Sequence, residues 1–433
     1  MTLTDRILSS ILSNTRAPED RKIGVEIECL YYTKEGQRLP VNIGESFSAQ
    51  AMKDELEQKF SKTATPPHIS IEPGGQMEWA SPPHKTLFDV DKSLQQYFGY
   101  TEEIADREGL IQLDLSVEPL FMPESVELIN QNKYYHMHNR FSLTGELGPW
   151  MMRNTTSVQI NLDYSSLEEA EEMAFVADCI TPLSSMMFSH SPFWNGKPAN
   201  MENLRYRIWN NTDNERCGSL MDFGIVEKKG LLEGYSRLVQ MTPAIFIRGT
   251  DDELLPFDGP MGKWLQLLED ANALSDDIIQ LALHQLFTHV RFKKVVEMRN
   301  ADRPPMGSEL APAAFWVGLL YSNTVRGEVY EIVNTWTKEE RIQLQRSANQ
   351  LGLDIMGPGN KTIRQWIERF SELAFKGLSE RQKDNPKSEG IFLERYLDTL
   401  LKGGSPSIQV QDQFWRRGLP LKEFLMERYA GIF

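Results

Sequence analysis

Apolar and polar positions alternate with period two in several stretches, and most of these stretches carry acids on the polar side. In Lys22–Cys29, the residues Ile23, Val25 and Ile27 fall on one face and Glu26 and Glu28 on the other, the pattern of a half-buried strand. Ile69–Trp79 reads as strand, tight turn, strand, with Glu72 and Glu78 on its two arms. Ile69 and Ile71 favour extended backbone, Pro73 fixes φ, and Gly74-Gly75 supply positive φ. Val290–Arg299 reads as a further strand in which Glu297 and Arg299 share a face. In Ser157–Tyr164, Val158, Ile160 and Leu162 face one way, while Ser157, Gln159, Asn161 and Asp163 face the other. Leu113–Val117 and Met241–Ile247 are also expected to be strands, and Gly36 marks a hairpin turn.

Helical periodicity covers most of the remainder. Residues 3–15 are amphipathic and read as an opening helix; 48–60 place Met52, Leu56 and Phe60 on one stripe; 85–109 run to a stop at Gly109. Ser166-Leu167-Glu168-Glu169 is a helix start, and the helix that follows is expected to be disturbed at Pro182. Residues 278–287 and most of the chain from Ala311 onward are helical by pattern. The expected organisation is one catalytic unit over 1–433, with a sheet-containing core (1–320) and a mostly helical part (321–433).

If the acidic strands are neighbours, Glu26, Glu28, Glu72, Glu78 and Glu297 converge. Like charges that close need cations between them, and oxygen-only ligands suit Mg²⁺ or Mn²⁺ rather than zinc. A solvated polar face is the ordinary alternative for any one such strand taken alone. His136 and His138 share a face if their segment is extended, but no third soft ligand accompanies them. Gly259–Trp264 and Gly357–Thr362 lack the spacing of a phosphate loop and read as turns.

The chain has 433 residues, is 40% hydrophobic and 25% charged, and carries a net charge of −15. That balance excludes a nucleic-acid backbone as the natural partner. No apolar run is long enough to span a bilayer. The three cysteines, Cys29, Cys179 and Cys217, show no paired spacing and fit a reducing compartment. None follows Cys217, so no bridge into the C-terminal half is expected.

Gly24-Val25-Glu26-Ile27-Glu28, Glu72-Pro73-Gly74-Gly75-Gln76-Met77-Glu78 and Val296-Glu297-Met298-Arg299-Asn300-Ala301-Asp302 resemble the motifs of the glutamate–cysteine ligases, the plant and proteobacterial branch above all. Thr156–Asp163, Ser191-Pro192-Phe193, Gly196-Lys197-Pro198, Arg205–Trp209 and Pro312–Leu320 match in family order. The resemblance implies an α+β, glutamine-synthetase-like fold, with a curved and mainly antiparallel sheet flanked by helices. It implies an ATP-dependent ligase that joins L-glutamate to L-cysteine through a γ-glutamyl phosphate, the first step of glutathione synthesis. Glu26, Glu28, Glu72, Glu78 and Glu297 would bridge Mg²⁺ or Mn²⁺ to the phosphates of ATP. Arg205 would meet phosphate or substrate, and Arg299 would steady the ligands or bind glutamate. Gln159 and Asn161 are candidates for orienting substrate, since an amide both donates and accepts. Lys133 stands where relatives have arginine, which exchanges a two-pronged fork for a point charge.

Only small-molecule partners, a monomer or homodimer and a cytoplasmic location are expected, with no nucleic acid and no membrane. Two alternatives stay open. One is a ligase of the same fold for another amine or another thiol pathway, such as ergothioneine. The other is a non-catalytic nucleotide or metal sensor, which loss of a metal carboxylate would mark; none is lost here.

Overall fold

The computed structural model describes residues 2–249, 251–381 and 388–429. At its centre is β1 (Ile23–Thr33), whose length lets it serve two sets of neighbours. Its first half pairs with β3 (Met77–Ala80) on one side and β5 (Ser157–Leu162) on the other; its second half pairs with β4 (Leu110–Leu113). β2 (His68–Ile71) closes one edge beside β3. At the other edge a hairpin, Val290–Phe292 and Val296–Asp302, pairs with β5. All pairings within this seven-stranded sheet are antiparallel.

The helices bury the apolar side of the sheet. α1 (Leu3–Ile11) opens with a capping box at Thr2 and buries Leu3, Ile7 and Ile11. α2 (Ala49–Phe60) buries Met52, Leu56 and Phe60, and α3 (Leu87–Glu108) ends on Gly109, whose φ of 65° only glycine adopts freely. α4 (Asn132–Thr144), α5 (Gly148–Asn154), α6 (Leu167–Met187) and α7 (Leu204–Trp209) follow. Beyond Ala311, helices alternate with short turns. A smaller apolar cluster lies behind the second half of β1, where Leu30, Tyr32, Ile111 and Leu113 meet Phe424, Leu425 and Tyr429.

Four expectations differ from what the chain does. Val290–Arg299 is not one strand but a hairpin, turning where the Lys293 N–H donates to the Val295 carbonyl at 3.0 Å. Its period-two pattern runs through the turn and hides it. α6 runs unbroken through Pro182, where a disturbance was expected, because nearly every position from Glu169 to Met187 is buried and packing outweighs one lost donor. Met241–Ile247 is a helix end and a connection, with only Ile247–Arg248 in a strand; short apolar runs do not distinguish these outcomes. The strand expected at Leu113–Val117 lies earlier, at Leu110–Leu113.

Two helices, Ala311–Leu320 and Ile363–Arg381, cross at a pair of glycines. A Cβ on Gly377 would sit 1.9 Å from the Gly318 carbonyl oxygen, and one on Gly318 would sit 2.3 Å from the Ala374 carbonyl oxygen. Both oxygens are backbone, so neither can yield without moving a helix. Gly377→Ala is expected to destabilise the protein by about 3 kcal/mol. Gly327→Ala, in a helix where a Cβ meets nothing within 4 Å, is expected to be neutral or stabilising by roughly 0.5–1 kcal/mol. Urea unfolding of both variants checks this; equal midpoints would contradict it.

Candidate functional site

The sheet register sets which acids meet. Glu28 lies opposite Glu78, and Glu26 lies opposite Gln159 on one side and Ala80 on the other. Glu297 lies opposite Asn161. All six of the polar residues in these pairs therefore project from one face. Glu72 joins them from the β2–β3 turn, which closes with Gly75 N–H donating to the Glu72 carbonyl at 2.9 Å and Glu72 N–H donating to the Gln76 carbonyl at 2.8 Å. Gly75 has φ 83°, whereas Gly74 does not have positive φ, contrary to expectation. Gly74 is needed for a different reason: a Cβ there would lie 2.2 Å from the Arg153 carbonyl oxygen.

These residues wall a cavity of about 510 Å³. Glu26, Glu28, Glu72 and Glu78 line one part, with Ser70, Tyr134 and Lys133 beside them. Arg205, Arg299, Arg291, Lys293, Trp209, Phe287 and His284 line another. Ten residues were singled out from the sequence, and nine of them either line this cavity or hydrogen-bond to an acid that does. The exception is Glu297, which is fully buried and does not reach the cavity wall.

The acids divide into two electrostatic kinds. Burial pushes the Glu28 carboxyl up to about 8, with Glu72 adding to the rise against the pull of Arg205 and Arg299. Glu78 is raised well above the usual range by burial and then by Glu72, Glu26 and Glu28; its hydrogen bond from Ser70 Oγ, at 2.6 Å, offsets little of this. Glu72 is also raised by burial, with Lys133 and Arg299 pulling the other way. Burial alone would raise Glu297 too, but Arg291, Lys293 and Arg299 outweigh it and hold that carboxyl well below the usual range. Arg291 Nε is 2.5 Å, Lys293 Nζ 2.7 Å and Arg299 Nη1 3.1 Å from its oxygens.

Gln159 and Asn161 are committed to the acids. Gln159 Nε2 donates to Glu28 at 3.1 Å while its oxygen accepts from Arg299, and Asn161 Nδ2 donates to Glu26 at 2.9 Å. Lys293 Nζ approaches Glu26 at 3.6 Å. Arg205, at the start of α7, donates to the Arg299 carbonyl at 3.2 Å and stands 3.9 Å from Asp302; its Nε is buried with no partner among the described residues. The guanidinium groups of Arg205 and Arg299 each lie 5.7 Å from the Trp209 ring. Lys133 sits in the first turn of α4, exposed toward the cavity, with Nζ 5.0 Å from the Tyr134 ring.

Arg291, Lys293, Trp209, Phe287 and His284 also line the cavity, and no motif in the sequence assigns them a role. A usable signal existed for two of them: Arg291 and Lys293 share the parity of Glu297 and Arg299 in the pattern. The aromatic walls come from elements that only the fold brings in. His136 and His138 lie in helix α4 rather than an extended segment, and His136 Nε2 contacts the Leu254 carbonyl at 3.0 Å. Gly259–Trp264 leads into a helix, and Gly357–Thr362 forms a short 3₁₀ turn; neither lines the cavity.

Among the described residues no three or more His, Cys, Asp or Glu side chains are arranged around one point as a metal cage. The donors nonetheless fit a hard divalent cation: Glu26, Glu28, Glu72 and Glu78 share the cavity, burial raises the proton affinity of Glu28, Glu72 and Glu78, and no protein cation forms an ion pair with these three among the described residues. Mg²⁺ is commonly held by one or two carboxylates plus substrate phosphates, which needs no closed cage.

A family model described as glutamate-cysteine ligase family 2 matches residues 22–363. The chain is 29% identical to glutamate–cysteine ligase A, chloroplastic, of Oryza sativa subsp. indica, over 93% of this chain and 82% of the relative. It is 31% identical to glutamate–cysteine ligase, chloroplastic, of Nicotiana tabacum, over 83% and 69%. Its fold is similar to that of the glutamate–cysteine ligase of Francisella tularensis solved in complex with AMP, with a TM-score of 0.58, 13% identity, and coverage of 95% of this chain and 87% of that one.

The raised acids predict how the metal-free protein responds to pH. An acid whose folded value lies above its unfolded value binds more protons folded than unfolded in the interval between them. Stability therefore falls as pH rises through that interval. For Glu28 the interval runs from 4.5 to about 8. Glu297 stays ionised throughout pH 6.5–8, and His289, pushed down to about 3 by burial and then by Arg205 and Arg299, stays neutral. Between pH 6.5 and 8 the metal-free protein is expected to lose about 1–2 kcal/mol, and millimolar Mg²⁺ is expected to flatten that slope. Calorimetry across the window, with and without Mg²⁺, checks both; a metal-free stability that rises with pH would contradict the assignment.

Proposed function

The chain belongs to the glutamate–cysteine ligase family, and on that premise we propose that its cavity condenses L-glutamate with L-cysteine in a reaction driven by ATP. The observation that carries the reading is the convergence of Glu26, Glu28, Glu72 and Glu78 in one cavity with Arg205 and Arg299. Such a wall repels anions unless cations lie between, while the arginines attract carboxylate and phosphate.

A carboxylate does not condense with an amine unaided, because oxide is a poor leaving group. The glutamate γ-carboxylate oxygen attacks the terminal phosphoryl group of ATP, and ADP leaves. The cysteine amine then attacks the acyl carbon, loses a proton, and expels inorganic phosphate. The product is γ-glutamylcysteine, the precursor of glutathione. The protein's task is to align three reactants and neutralise charge.

Glu26, Glu28, Glu72 and Glu78 would hold Mg²⁺ or Mn²⁺, which would supply positive charge to offset the phosphates of ATP. Gln159 and Asn161 keep Glu28 and Glu26 directed into the cavity. Arg205 and Arg299, stacked against Trp209, receive a substrate carboxylate or a phosphate oxygen. Lys133 offers one charge beside Glu72 for an anionic substrate. Glu297 acts at one remove, by fixing Arg291, Lys293 and Arg299. The three cysteines, buried and unpaired, support a reducing cytoplasmic setting.

The deciding experiment incubates the protein with ATP, glutamate and a panel of amines, and reads products by mass spectrometry. γ-Glutamylcysteine formed in step with ADP is expected; preference for another amine would redirect the reading. Glu78→Gln is expected to stay folded, no less stable than the unsubstituted protein at neutral pH because a buried acid raised well above its usual range is removed, while abolishing turnover. Near-normal turnover at saturating Mg²⁺ would remove Glu78 from the ligand set.

Lys133→Met is expected to cost about 1.5–3 kcal/mol of transition-state binding, roughly a 10- to 150-fold loss in kcat/KM. Efficiency measured separately for ATP and glutamate tests it, and a change below about twofold on both would place Lys133 outside the reaction.

A further inference from the structure

Gln76 lies inside the acidic turn at the edge of the cavity and is buried, with 1% of its surface exposed. Its side chain folds back under the turn. Gly74 N–H donates to Gln76 Oε1 at 2.8 Å, and Gln76 Nε2 donates to the Met152 and Thr155 carbonyls at 3.3 and 2.9 Å. The turn is thereby tied to the end of α5. A second tether comes from Arg38, whose Nη2 donates to the Gly74 carbonyl at 2.6 Å while Nη1 meets Glu118 at 2.5 Å. Glu118 is itself fixed, being fully buried and accepting from the Leu120 and Phe121 N–H groups and from Tyr32.

We propose that Gln76 is a positioning residue, seconded by Arg38, that holds Glu72 and Glu78 against Glu26 and Glu28 at the separation the reaction requires. The proposal rests on reading these four acids as the ligand set.

The physical need arises from the topology. Glu26 and Glu28 sit on β1, gripped by strands on both sides. Glu72 and Glu78 belong to a hairpin whose outer strand is the sheet edge. Repulsion among the four therefore acts on the hairpin as the more movable half. An amide suits the anchor because it accepts from one N–H and donates to two carbonyls without adding charge. Glutamate would turn lone pairs toward those carbonyls and add a fifth charge, and methionine would supply neither bond.

The test compares Gln76→Met with Gln411→Met. Gln411 is a similar buried clamp away from the cavity: it accepts from Asn200 N–H at 2.9 Å and donates to the Met201 and Ser407 carbonyls at 3.4 and 3.1 Å. Gln76→Met is expected to lower kcat by about 100-fold, the scale of a misplacement near 1 Å. It is also expected to weaken Mn²⁺ binding, measured calorimetrically without substrates, by about tenfold. Gln411→Met is expected to lower Tm yet leave kcat and Mn²⁺ affinity within about twofold.

Should Gln76→Met fail to fold, Arg38→Lys serves instead, keeping charge at Glu118 while giving up the fork that reaches Gly74; a smaller loss of the same two quantities is expected. Unchanged kcat and Mn²⁺ affinity in the folded variants, or equal losses in Gln411→Met, would overturn the clamp. Absence of Mn²⁺ binding in the unsubstituted protein would instead remove the metal-ligand reading, leaving the clamp to be decided by kcat alone.

Discussion

Mutual repulsion among buried carboxylates is the constraint on which the site depends. Glu28, Glu72 and Glu78 all hold protons more tightly than free glutamate does. Left to themselves, such groups separate or take up water. An antiparallel sheet resists separation because each backbone is fixed by its neighbours. β1 accordingly occupies the interior, and the side chains of Ser70, Gln159 and Asn161 donate to the acids without neutralising them. The strain stays within the cavity, where a cation and an anionic substrate can relieve it.

Glu297 shows how local the balance is. It projects from the same face of the same sheet, opposite Asn161, yet its proton affinity moves the other way. The difference comes from the edge hairpin, which brings Arg291 directly opposite Glu297 and turns Lys293 back onto it. The hairpin builds a compensated acid next to uncompensated ones, so the cavity has a charged rim of each sign. Trp209 and Phe287 form apolar backing for the guanidinium groups, strengthening their pull on an anion by excluding water.

Support for the sheet comes from far along the chain. Tyr429 donates to Asp114, and its ring packs in the cluster with Tyr32, whose hydroxyl reaches Glu118 and so the Arg38 tether. The helices that cross at Gly318 and Gly377 bring their backbones together, placing further apolar surface behind β5. Neither arrangement touches the cavity wall, and both limit how far the strands beneath it can shift.

The local pattern of residues determined much of this protein. Alternation placed Glu26 and Glu28 on one face and Gln159 and Asn161 on another strand's polar face, because side-chain direction in a strand is fixed by parity alone. Helix limits at Ser166 and Gly109 were legible because caps depend on neighbouring residues. Only the tertiary structure decided what parity cannot express. It set the register that puts Glu28 opposite Glu78, and it made a hairpin of Val290–Arg299. It carried α6 through Pro182, and it set Gly74 against Arg153. It also joined Gln159 and Asn161 to Glu28 and Glu26 by hydrogen bonds. These outcomes depend on which surfaces meet across long separations in the chain, and that choice is made by the whole packed core rather than by any stretch within it.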